Sequence, residues 1–422
     1  MAGMADHEDY RVVRVTPDTK GAFEAIDDLT WFDEPDPQDE DPSGALDLGR
    51  SYAATRTGEP PFSGIYSSFD HRLTVPAPGG GLTGVPCAGL TWVGVHPDDR
   101  RTGVLTAMLR HHLEDLHEQG VPLGALHASE VGIYGRFGYA QASFGVALEV
   151  GGGSDVTAPG IDTAGIRTEL VDGVGDAVAD RALRVQHEVA ARQLGQVGLT
   201  TAHNRRRYRA DPSAERGSER ARVLFAVRDG VDVGYAVLRR THRWEHSLPQ
   251  GSLECRELTA DEPAVRLALL RRIVAFDLIG RVSLPAGSPE DELVWWLGGP
   301  RAVRARLHDA LWLRVVDVGG ALAARGYAAD VDLVLEVEDE RCPWNARPWR
   351  LRATAGGATC TPTDASADVR LPVQALGSAY LGGRSVSAMA RQGLVAERTP
   401  GAVSQLSRAF ATERPPVAAL TF

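Results

Sequence analysis

Hydrophobic and polar positions along the chain switch between a period near two and a period near 3.6, and the switches mark out its elements. Residues 10–15 read as a short strand. Thr16, Pro17 and Asp18 then supply a helix cap, a proline at the first helical position and an early carboxylate, which predicts a helix through about Leu29. Apolar runs around Ala53, Ile65 and Leu73 predict strands separated by turns, and GLTWVGV at 89–95 has the continuous apolar character of a central strand. Over 102–118 the residues Leu105, Leu109, Leu113 and Leu116 fall at helical spacing, with His111, His112 and Glu114 on other faces and Gly120 placed to stop the helix. A strand at 123–127 follows at once. Strand, helix and strand in this order predict a crossover that joins neighbouring strands of one sheet.

The pattern repeats in outline from Ile166 to about Leu297, with a helix near 177–194, a hairpin turning at Asp229 and Gly230, a strand near Leu253 and a helix over 264–276. A Gly-Gly-Gly-Ser stretch at 151–154 reads as the linker before it. After Gly299 and Pro300 the order changes to a strand at 311–316, a helix at 320–325 and a strand at 332–337. Three domains are therefore expected, at 10–150, 155–300 and 301–422, a count that a chain of 422 residues accommodates.

Composition narrows the function classes. Hydrophobic residues make up 43% and charged residues 24%, as in a folded soluble protein. Lys20 is the only lysine, and the net charge of -11 disfavours nucleic acid and favours cationic partners. Cys87, Cys255, Cys342 and Cys360 show neither metal-binding nor disulfide spacing, and His111, His112 and His117 lack partner ligands, so no metal is expected. No secretory h-region opens the chain and no apolar run is long enough to span a bilayer, so a cytoplasmic protein with no membrane partner is expected. The segment DEPDPQDED at 33–41 carries six carboxylates and no base. It reads as a solvated loop or as the rim of a pocket for a cation. Arg205, Arg206, Arg207 and Arg209 read as a solvated or inter-subunit face, and Trp295 and Trp296 as core or inter-domain packing.

The richest stretch for chemistry is 93–105, where a buried strand runs into a proline, an arginine pair and a glycine at a helix start. The first amides of a helix lack acceptors and sit at the positive end of its dipole, Gly103 admits a phosphate to the backbone, and Arg100 and Arg101 add charge. The segment reads as an anion site or as an ordinary capped helix. Arg100-x-x-Gly103, followed by His127, Ala128, Ser129 and Glu130 and by GIYGRFGY at 132–139, resembles the GCN5-related N-acetyltransferases (GNAT) and, within them, the enhanced intracellular survival (Eis) branch of aminoglycoside acetyltransferases. Leu105 stands where the motif has Gly or Ala.

The resemblance implies an α/β (α+β) fold of two tandem GNAT-like mixed-sheet domains followed by a sterol-carrier-like domain. It implies acetyl-CoA as donor, a cationic multi-amine small molecule as acceptor and a homohexamer. Val93, Gly94 and Val95 would hold the donor through the backbone. Its pyrophosphate would lie on Arg100, Arg101, Thr102, Gly103, Val104, Leu105 and Thr106, with Ser129 and Glu130 near the thioester arm. Tyr134 would be the general acid and the carboxylate of Phe422 the general base.

Those residue types suit acyl transfer, which needs a neutral amine and a proton donor for the departing thiolate. A terminal carboxylate is a weak base toward an ammonium, so holding the amine electrostatically is the larger role expected of Phe422. The matching helix start of the second repeat carries Asp261, Glu262 and Pro263 in place of arginines and glycine, which predicts loss of donor binding there. The competing classes are a non-enzymatic protein that carries a lipid-like ligand in its third domain and an enzyme acting on protein lysines. Thr421 stands where an acidic residue could have gripped a cation, so the substrate range is not expected to follow the relatives in full.

Overall fold

A computed structural model describes residues 10–31, 46–173, 175–198 and 218–418. The acidic segment 33–41, the arginines at 205–209, and Thr421 and Phe422 lie outside the described residues.

The first unit is a seven-stranded sheet in the order Arg11–Arg14, Ser51–Thr55, Gly64–Pro76, Leu82–Val95, Leu123–His127, Leu311–Val315 and Ala140–Gln141. Leu82–Val95 and Leu123–His127 run parallel, joined by the helix Val104–Glu118, as the apolar spacing predicts. The runs at Ile65 and Leu73 belong to one strand of 13 residues, because polar Ser67, Ser68 and His71 are buried within it where turns were expected.

The second unit is also a seven-stranded sheet, with Phe144–Gly151 in its interior beside Ile279–Ala286 and Arg306–Asp309. Its hairpin turns at Asp229 (φ 51°) and Gly230 (φ 80°), the left-handed pair that Asp-Gly favours. The third unit has five strands, with Val331–Glu338 central, and helices including Val373–Ala379 and Ala402–Phe410.

Sheet membership differs from chain order in two places. The strand expected at 311–316 in the third domain instead completes the first sheet, pairing Leu311–Val315 with Leu123–His127 on one side and with Ala140–Gln141 on the other. Phe144–Gly151 pairs only with second-unit strands. Two of the glycines in 151–154 are tied to the second unit: Gly152 donates to Gly280 O, Gly153 donates to Val274 O, and a Cβ on Gly152 would lie 1.9 Å from Ile279 O.

The units are fused by their cores. One face of the first sheet (Phe69, Leu73, Val85, Leu123, Leu313) shares an apolar cluster with Leu322, Leu333, Leu376 and Phe410 of the third unit. The tip of the hairpin between Gly64–Pro76 and Leu82–Val95 is tied to that unit by Gly326 N to Pro76 O at 2.7 Å and Gly79 N to Ala355 O at 2.6 Å. Thr74 exchanges backbone bonds of 2.8 and 2.9 Å with Gly195 and Gln196 of the second unit. Trp296 is buried, whereas Trp295 is 59% exposed. Among the described residues no helix is long and apolar enough to cross a membrane.

At the centre of the fused core Arg314, fully buried, donates to both carboxylate oxygens of Asp339 at 2.8 Å and to Val315 O at 3.0 Å. Asp339 also accepts from Asn345 Nδ2 at 3.0 Å and from the amides of Arg341 and Cys342 at 3.1 Å. Breaking a buried ion pair from one side strands the other charge at a cost of about 3–5 kcal/mol. Arg314→Met is expected to lower the urea midpoint sharply, and Arg314→Met with Asp339→Leu to recover most of the loss, both read by denaturant titration.

Candidate active site

The ladder between Leu82–Val95 and Leu123–His127 pairs Cys87–Gly89 with Leu123–Ala125 and stops there. Beyond Gly89 the two parallel strands splay. A bulge opposite Tyr66, with Trp92 at φ 48°, turns the strand end further. Residues 90–95 therefore present backbone donors and acceptors that have no partner on the side of Leu123–His127 among the described residues. Val93 and Val95 are half-buried there and Gly94 is buried.

From this strand end the chain runs through the turn Pro97–Asp99 into the helix Val104–Glu118. Arg101 (φ 66°) and Gly103 (φ 101°) both lie in the left-handed region. Residues of alternating handedness gather successive amides on one side of a loop, an arrangement suited to anions. The first intrahelical bond is Ala107 N to Gly103 O, which leaves the amides of Val104, Leu105 and Thr106 without helical acceptors. Arg100, Arg101 and Thr102 are exposed, and neither arginine has an ion-pair partner among the described residues. Val104 is buried so close to the neighbouring strand that a Cβ on Gly64 would lie 2.6 Å from Val104 Cγ1.

Two residues with no signal in the sequence brace this loop. The Tyr10 hydroxyl lies 2.8 Å from Thr102 Oγ1, and Arg56 donates to Tyr10 while pairing with Asp99 at 3.5 Å. Separations of 46 to 92 residues hide such contacts from any local reading.

On the other side of the splay Ser129 and Glu130 are exposed, and Glu130 precedes the short helix Val131–Tyr134. The Tyr134 side chain is buried in one apolar cluster with Leu90, Val104 and Leu126, against which Val93, Val95 and Leu105 also pack. Strand end, helix start and Tyr134 thus converge. The Tyr134 ring meets Tyr139 edge-on at 6.2 Å, and its hydroxyl has no hydrogen-bond partner among the described residues. Burial, with a smaller contribution from the Glu130 charge, pushes its pKa up to about 12.

The third unit holds this segment from behind. Gln374 donates to Gly135 O at 3.0 Å and Arg341 to Arg136 O at 3.2 Å. Arg314 passes so close to Gly138 (φ 86°) that a Cβ there would lie 2.7 Å from its guanidinium carbon.

An acidic element borders the strand end. Thr30 Oγ1, on the helix Lys20–Trp31, would lie 3.0 Å from a Cβ on Gly94, and the same helix carries half-buried Asp27 and exposed Asp28. The histidines expected to stay clear of metal have other contacts. His111 shares a 2.6 Å hydrogen bond with Tyr66, His112 is buried and held down to about 3 by desolvation, and His117 stacks on Trp344 at 4.1 Å.

The matching splay in the second unit is built differently. Gly251–Thr259 and Ile279–Ala286 are parallel and pair only as far as Glu254 and Ser283. The following helix, Pro263–Val274, opens with Glu262 paired to Arg228 at 2.8 Å and Asp261 to Arg192 at 3.8 Å.

Comparisons with known proteins agree with this architecture. Family models for an acetyltransferase (GNAT) domain match residues 11–142 and 200–315, and one for a sterol carrier protein domain matches 318–419. The chain is 38% identical over 358 residues to an uncharacterised N-acetyltransferase of Streptomyces avermitilis, covering 83% of this chain and 84% of that protein. It is 34% identical over 371 residues to N-acetyltransferase Eis of Mycobacterium tuberculosis, covering 85% of each. The crystal structure of Eis1 from Mycobacterium abscessus superposes with a TM-score of 0.81 at 28% identity, over 98% of this chain and all of that one. The fold is therefore two GNAT domains followed by a sterol-carrier-like domain, and the chain belongs to the Eis family of GCN5-related N-acetyltransferases.

Proposed function

We propose that this N-acetyltransferase moves the acetyl group of acetyl-CoA to an amine of a cationic, multi-amine small molecule of the aminoglycoside type, by direct attack of the amine on the thioester. The observation that carries this reading is the convergence on one buried tyrosine of a strand end with one open side and a helix start with free amides, with Arg100 and Arg101 exposed at that helix start and without ion-pair partners among the described residues. Acetyl-CoA supplies an activated acyl group. The backbone of Val93, Gly94 and Val95 would hold its extended amide arm. The amides of Val104, Leu105 and Thr106, with Arg100, Arg101, Thr102 and Gly103, would take its diphosphate, and Ser129 and Glu130 would flank the thioester end.

Direct attack is favoured because the cysteines are buried and desolvation raises their thiols, leaving no thiolate to carry the acyl group. The net charge of -11 favours a cationic acceptor. The relatives named as N-acetyltransferases favour an enzyme over a lipid carrier. A homohexamer, which the family resemblance implies, and a reducing cytoplasm, which suits the four free thiols, belong to the same reading.

Tyr134 is the general acid of this reading. With its pKa near 12 and a thiol near 8.5, full proton transfer is uphill by roughly 3.5 units, so Tyr134 acts by donating a strong hydrogen bond to the sulfur as charge develops. The carboxylate of Phe422 holds the ammonium and accepts its proton.

Three measurements test this. Release of free coenzyme A with a panel of polyamines and aminoglycosides should exceed background, and Arg100→Gln with Arg101→Gln should weaken acetyl-CoA binding by about 10- to 100-fold through lost charge-assisted bonds. An unchanged dissociation constant would remove the cradle from the reading. Tyr134→Phe should lower kcat by about 100-fold, and that ratio should stay flat from pH 7 to 10 because the neutral form persists until near pH 12. A ratio that collapses near pH 8–9 contradicts the assignment. Two extra residues after Phe422 should abolish turnover with the fold intact, and full activity in that variant would exclude the carboxylate.

A further inference from the structure

The wedge between the two parallel strands of the second unit is occupied by the protein itself. It is bounded by Leu258 and Thr259 on one strand and by Pro285 and Ala286 on the other, and Gln193, Gln196 and Val417 close it to a void of about 20 Å³. Val417 belongs to the C-terminal segment. Its amide donates to Leu194 O at 2.8 Å, and its side chain lies so near Gly287 that a Cβ there would come within 2.7 Å of Val417 Cγ1. The preceding Pro416 packs on Gly195, 3.0 Å from a Cβ built at that position, and on Gly383 of the third unit. Ala418 packs on the apolar cluster shared by the first and third units.

Polar side chains at the helix start are already engaged. Gln193 Nε2 donates to Ala260 O at 3.1 Å, and Asp261 and Glu262 at the helix start are paired with arginines. Arg266, in the first turn, is buried against Asp291 at 2.7 Å and Glu292 at 2.9 Å. Negative charge at a helix N-terminus repels an anion, whereas Leu258, Ala286 and Gly287 give the wedge an apolar side that accepts a branched apolar side chain.

We propose that the second acetyltransferase fold keeps the wedge between its parallel strands as a clamp for the chain's own C-terminal segment, with Val417 as the positioning residue seated in it. The second domain thereby fixes where the chain stands at Val417 and Ala418. Its effect on turnover rests on the catalytic role proposed for Phe422, whereas the clamp itself does not.

The test is Gly287→Ala, which puts a methyl group into the space of Val417, alongside Gly287→Ala with Val417→Ala, which vacates that space again. Val417→Asp, a change confined to the tail, serves if the glycine variant does not fold. Hydrogen exchange of the full-length protein should show amides of the 411–418 segment exchanging about tenfold faster in Gly287→Ala or Val417→Asp and returning close to wild type in the double variant. Over the same series kcat should fall about tenfold and recover, while KM for acetyl-CoA stays constant. Unchanged exchange in the single variants overturns the clamp. Faster exchange with unchanged kcat upholds the clamp and overturns the catalytic role of the chain terminus.

Discussion

The buried pair of Arg314 and Asp339 is the contact through which the first and third units become one body. Arg314 sits on the strand Leu311–Val315, which the first sheet needs between Leu123–His127 and Ala140–Gln141, while Asp339 follows the central strand of the third unit. A buried carboxylate is tolerated only when its acceptor positions are filled, and Arg314, Asn345 and two backbone amides fill them. The same guanidinium lies against Gly138, four residues after Tyr134. The place of the buried tyrosine is thus set by a strand that the chain reaches only after traversing the whole second unit.

The two acetyltransferase folds show one backbone device used in opposite ways. In each, two parallel strands separate beyond a short ladder and a helix starts beside the gap. In the first, Gly103 and two exposed arginines leave the helix start open to an anion. In the second, Asp261 and Glu262 reverse the charge and Pro263 removes an amide, and glutamines and Val417 fill the gap. The second helix start differs from the first in its charge and in one lost amide, and Val417 occupies the wedge beside it.

Much of this was legible locally. Leu105, Leu109, Leu113 and Leu116 place the long helix, Asp229 and Gly230 the hairpin, and Arg100, Gly103 and the 132–139 motif the stretch around which the site forms. The bracing of that site by Tyr10, Arg56, Gln374 and Arg341 was not legible, because each contact spans tens to hundreds of residues and involves a residue type common on any surface. The single strand that merges the runs at Ile65 and Leu73 was missed for a related reason. Its buried serines and histidine look like turn residues until a neighbouring strand and helix cover them.

By itself the sequence determined the elements, their order, the family and the contrast in charge between the two helix starts, since all of these follow from neighbours along the chain and from side-chain type. Only the tertiary structure decided which sheet receives Leu311–Val315 and Phe144–Gly151, that Gly152 and Gly153 are hydrogen-bonded to the second unit, and where the segment up to Ala418 lies. A short strand such as Leu311–Val315 satisfies its backbone hydrogen bonds equally well at the edge of any open sheet. The choice among sheets comes from burying one specific charge and fitting one specific face, and those are properties of the assembled core.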